Sequence, residues 1–68
     1  MPDYTRIKQL LKEEGHTQTE LAHHMGLAPA TVNQKLNGVR PLSLEEANSI
    51  AQFLGISDAA FGSYFFKS

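Results

Sequence analysis

Apolar residues recur along this chain at helical spacing, in short blocks punctuated by glycine. Tyr4, Ile7, Leu10 and Leu11 make the first stripe, which predicts a helix from an Asp3 N-cap to Glu14, ended by Gly15. Thr17-Gln18-Thr19-Glu20 has the form of a capping box, in which a hydroxyl and a carboxylate each satisfy an amide left unpaired at a helix start. The helix it opens carries Leu21, Ala22 and Met25 inward and stops at Gly26. Pro29 suits a first helical position, so a third helix begins after Ala28 and carries Val32 and Leu36 on one face as far as Asn37-Gly38. Val39 to Leu42 reads as a connector. Ser43-Leu44-Glu45-Glu46 is a second capping box, and the helix after it turns Leu44, Ala47, Ile50, Ala51 and Leu54 inward until Gly55. Ser57-Asp58 caps a short last helix that leads into Tyr64-Phe65-Phe66. No segment alternates as a strand does, so the expected fold is all-α, a compact five-helix domain.

Composition narrows the partners. At 68 residues there is room for a single domain, 1–68, with a thin stability margin that dimerisation would widen. Hydrophobic residues at 41% and charged residues at 19% describe a globular chain, not a disordered one. The absence of cysteine excludes disulfides and thiolate metal sites. No apolar run approaches a membrane span and Met1-Pro2-Asp3-Tyr4 lacks a signal-peptide pattern, so a cytoplasmic protein with no membrane partner is expected. The formal net charge of −1 runs against the basic balance usual in nucleic-acid binders. Glu13-Glu14 and Glu45-Glu46 set that balance, however, and what matters to a polyanion is the sign of charge on one face.

The pair of short helices joined by Gly26-Leu27-Ala28 is the most informative unit. Ala22 is small where the helices approach, Gly26 can take the left-handed conformation of a tight turn, and Leu21, Met25, Leu27 and Val32 fill the space between. That is the spacing of a helix-turn-helix over 18–37. A helical hairpin in a bundle without a nucleic-acid role satisfies the same packing.

The residues themselves favour the first reading. Thr17-Gln18-Thr19-Glu20-Leu21-Ala22, Met25-Gly26-Leu27, Thr31-Val32 and Leu36-Asn37-Gly38 resemble the phage Cro and repressor class of helix-turn-helix proteins, lambda-repressor-like in fold. Pro41 and Ala51-Gln52-Phe53-Leu54-Gly55-Ile56-Ser57 extend the likeness. Asn33-Gln34-Lys35-Leu36-Asn37-Gly38 and the Tyr64-Phe65-Phe66 ending most resemble short Cro-like proteins of Gram-positive prophages.

The resemblance implies sequence-specific binding of duplex DNA by a homodimer that regulates transcription at an operator as a Cro-like repressor. It implies no enzyme activity, cofactor or small-molecule substrate. In that class the third helix lies in the major groove and the start of the second sits against the phosphate backbone. By position, Thr17 and Gln18 would hold a phosphate, and Pro29, Ala30, Asn33 and Gln34 would face base edges, with Thr31 in the same contact set. Asn37 and Arg40 would reach the backbone beyond. Asn and Gln amides pair with adenine, and the Pro29-Ala30 tip suits thymine methyl groups. Four positions depart from the class. Lys35 stands where many relatives have an apolar residue, and Leu11 and Leu36 stand where relatives often pair Arg with Glu. An apolar Leu11–Leu36 contact is expected in place of that ion pair. Ala28 is a poor N-cap where relatives often have Ser or Thr, at a cost of about 1 kcal/mol.

Other candidates carry less. His16, His23 and His24 lack the carboxylate or cysteine that would complete a metal set, and are expected as exposed histidines near phosphate. Glu45-Glu46 complement the dipole of a helix start and do not form an acid pair. Ser, His and Asp occur without a nucleophile elbow or a phosphate-cradling glycine loop. Tyr64, Phe65 and Phe66 are expected to divide between core closure and a dimer interface. The rival reading is an antitoxin or antirepressor whose target is a protein bound by the same scaffold.

Overall fold

The computed structural model describes residues 4–66, which form five α-helices and no strand. They are α1 (Thr5–Glu13), α2 (Gln18–Met25), α3 (Pro29–Leu36), α4 (Leu44–Leu54) and α5 (Asp58–Phe65). Both expected capping boxes close: Thr17 and Ser43 accept the N–H of Glu20 and Glu46, whose carboxylates accept the N–H of Thr17 and Ser43. The Ser57 hydroxyl caps α5 by accepting the Ala60 N–H at 3.3 Å. Ala28 caps α3 with no side-chain bond, and Pro29 in the first turn removes one of the unpaired donors.

The α2–α3 turn depends on Gly26. Its φ of 72° lets Leu27 N–H reach back to Ala22 O at 2.9 Å and its own N–H to His23 O at 3.2 Å, closing the last carbonyls of α2. The chain then turns so that α3 packs against α2.

Every helix contributes to one core. Ile7, Leu11, Leu21, Ala22, Val32, Leu36, Ala47, Ile50, Ala51, Leu54 and Phe65 are buried together, so Leu11 and Leu36 share one apolar cluster. Two expectations need correction. The N-cap of α1 falls on Tyr4 and not on Asp3, which lies outside the described residues. Tyr4 takes a left-handed φ of 48° at a cost of about 1 kcal/mol, while its ring tilts against Phe65 at 6.2 Å. Leu44, expected inward, is 61% exposed. It opens α4, its Cβ leans past the helix start, and 3.6-residue geometry puts it roughly 70° from the middle of the buried arc.

Candidate nucleic-acid interface

Burial of Val32 and Leu36 against α2 turns the opposite side of α3 outward. Pro29, Ala30, Asn33, Asn37 and Arg40 are exposed, and Thr31 and Gln34 are half-buried. The Gln34 carbonyl accepts the N–H groups of Val39 and Arg40, at 2.8 and 3.3 Å, which ends α3 and sets Arg40 just beyond it. At the start of α2, Thr17 is exposed and Gln18 half-buried. The capping box occupies Thr17 N–H and Glu20 N–H, so the first-turn amides it leaves are those of Gln18 and Thr19. The Glu20 carboxylate at this helix end also opposes an incoming anion, and the expected phosphate contact is correspondingly narrowed.

Some polar residues of this face are tied to one another. Asn33 Nδ2 donates to Gln18 Oε1 at 3.2 Å, Asn37 Nδ2 donates to Asn33 Oδ1 at 3.2 Å, and Lys8 Nζ donates to Asn37 Oδ1 at 2.7 Å. Three of the expected contact residues, Gln18, Asn33 and Asn37, thus form one chain across α2 and α3. Lys8, on α1, was not among the candidates, and nothing local in its sequence context marks it.

Lys35 has a structural role. Its ammonium donates to Glu46 Oε1 at 3.1 Å and to Pro41 O at 3.0 Å, so it clamps α3 to the start of α4. Glu46 therefore serves both its capping box and this pair. Partial burial alone would raise its carboxyl; the Ser43 N–H and the Lys35 ammonium outweigh that and hold it below its ordinary range. A lowered folded value contributes stability above the ordinary carboxylate range and loses it as pH falls through the folded value. Glu46→Gln should accordingly cost about 1 kcal/mol at neutral pH, and the gap to wild type should narrow on acidification. Urea unfolding at neutral and acid pH checks this, and a gap that does not change with pH would remove the ion pair from the explanation.

The helix-turn-helix family HTH_3 matches residues 7–61. The chain belongs to the helix-turn-helix family. Two curated relatives are the HTH-type transcriptional regulator RamB of Mycobacterium tuberculosis strain CDC 1551 / Oshkosh and its counterpart in strain ATCC 25618 / H37Rv. Each is 32% identical over 59 residues, 87% of this chain and 12% of the regulator. The chain thus spans about one eighth of the length of these relatives. No solved structure gives a significant match. The helix-turn-helix match and the five helices identify an all-α, lambda-repressor-like domain.

Elsewhere on the helix-turn-helix domain, histidine and aromatic side chains pack on neighbouring rings. His16 is half-buried, and it and the exposed His24 lie against the Phe53 ring, at 4.7 and 5.1 Å. Both rings thereby cover Phe53 on α4. No metal-binding group of three such side chains occurs among the described residues. No helix there is long and apolar enough to cross a membrane. Of the three rings expected to divide between core closure and an interface, Phe65 is 5% exposed and belongs to the core, against Phe61 at 4.7 Å. Tyr64 is half-buried beneath the Arg6 guanidinium at 4.4 Å, and Arg6 also donates to Ser63 O at 3.1 Å. Phe66 alone of the three stays open, at 70% exposure.

Proposed function

We propose that this domain reads an operator in duplex DNA through α3, acting as a homodimer that represses transcription in the manner of Cro. The observation that carries the reading is the outward side of α3, where the apolar tip Pro29-Ala30 is followed by the amides of Asn33 and Gln34. That order suits thymine methyl groups followed by adenine edges. No hydrogen bond among the described residues occupies the Gln34 amide, which leaves both its donor and its acceptor for a base. Thr17, Gln18, Asn37 and Arg40 border this strip and serve the phosphate backbone, with Thr31 beside the tip. One domain of this size reaches a single half-site, so two copies one helical turn apart supply the specific affinity.

Selection from random duplex DNA, followed by titration with salt, tests the reading. A two-fold symmetric site whose affinity falls steeply with salt is the expected result. Gln34→Ala should then cost about 1–3 kcal/mol on the selected site and relax preference at one base pair. Arg40→Ala should weaken every sequence alike and flatten the salt dependence. Equal losses for both variants on selected and random DNA would take Gln34 out of base reading. Failure to enrich any sequence, with a protein captured in its place, would favour the antitoxin or antirepressor reading.

A further inference from the structure

We propose that Lys8 is a positioning residue that fixes the direction of the amide chain on the reading face, and through it the donors offered to DNA. The argument starts from what each group can do. An Asn or Gln amide carries an acceptor oxygen and a donor NH2, so a string of amides alone can run in either direction. An ammonium has no lone pair and only donates. With Lys8 Nζ 2.7 Å from Asn37, the Asn37 oxygen must turn toward α1, which sends its NH2 to the Asn33 oxygen. The Asn33 NH2 then goes to the Gln18 oxygen. Each link follows from the one before.

Two consequences reach the DNA-facing surface. The chain ends with the Gln18 NH2 free at the start of α2, where donors suit a phosphate; the reverse direction would place an oxygen there and repel it. Asn33 keeps one N–H and one oxygen lone pair after serving the chain, which is the pair that the major-groove edge of adenine takes. Lys8 is held in place by a second effect. Asn37 ends α3, so the ammonium lies at the negative end of the recognition helix. A residue separated by 29 positions from Asn37 thereby governs groups that it does not touch.

This inference rests on the DNA reading proposed above, but its first readout needs no DNA. The side-chain NH2 resonances of Asn37, Asn33 and Gln18 are followed by NMR in the free protein and in Lys8→Met and Lys8→Arg. Lys8→Met keeps the stem and removes the donor; Lys8→Arg remains a pure donor. Displacement of all three resonances in Lys8→Met, with near wild-type positions in Lys8→Arg, is expected. Displacement confined to Asn37, or none, overturns the proposal. Should Lys8→Met fold poorly, Lys8→Gln, whose amide permits either direction, replaces it with the same expectation. On DNA, Lys8→Met should lose about tenfold on the selected site and only about twofold on random duplex, with preference relaxed at the base pair facing Asn33. Equal losses on both, with the salt slope reduced by about one phosphate, would make Lys8 a plain phosphate contact and overturn it. If the wild-type domain shows no sequence preference, the operator reading fails, and the NMR result still decides the role of Lys8.

Discussion

Leu36→Glu is expected to leave the domain largely unfolded. Leu36 is fully buried and Leu11, in the same cluster, is 2% exposed, so a carboxylate at 36 would lose its hydration and gain no cation. An uncompensated buried charge costs about 3–5 kcal/mol, which is comparable to the whole stability of a domain this small. Leu11→Arg alone should also destabilise, because its guanidinium would need room and a partner in the core. Together the two substitutions would give the carboxylate a guanidinium partner within the same cluster, and should recover much of the loss. Denaturant unfolding followed by circular dichroism measures all three variants. A Leu36→Glu protein with near wild-type stability would mean that this site opens to water. A double variant no better than the single one would show that this core has repacked too tightly around two leucines to accept the pair.

Phe65→Ala comes second, at about 3–5 kcal/mol, because it removes a buried ring that closes α5 onto α1. Helicity should fall with it. Removal of 64–68 should do the same, and so cannot isolate a role for the aromatic tail in self-association. Phe66→Ser can, since its ring is mostly in water and touches only Phe61 among the rings, at 5.8 Å. The expected result for Phe66→Ser is wild-type helicity and melting with weakened self-association in sedimentation. Unchanged self-association would move the proposed dimer surface away from the tail, and Val39 and Leu44, the other large exposed apolar side chains among the described residues, would be the next positions to replace.

The sequence by itself determined the five helices, both capping boxes, the Gly26 turn and the inward sets of α2 and α3. Each of these is settled within about one helical turn, by a hydroxyl reaching an amide three residues on or by a glycine entering a conformation that closes carbonyls behind it. The outward side of α3 was legible for the same reason: once Val32 and Leu36 are inward, helical geometry turns Ala30 and the half-buried Gln34 away from the core. Tertiary structure decided the rest. Whether Phe65 or Phe66 closes the core depends on where α1 crosses α5, and whether Leu44 is covered depends on what lies beyond the start of α4. The Lys35–Glu46 clamp spans 11 positions and the Lys8–Asn37 bond 29. Periodicity says which side of a helix is apolar, but not which distant helix meets its polar edge. An ammonium or an amide acquires its partner, and its direction, only when two separate surfaces are brought within about 3 Å.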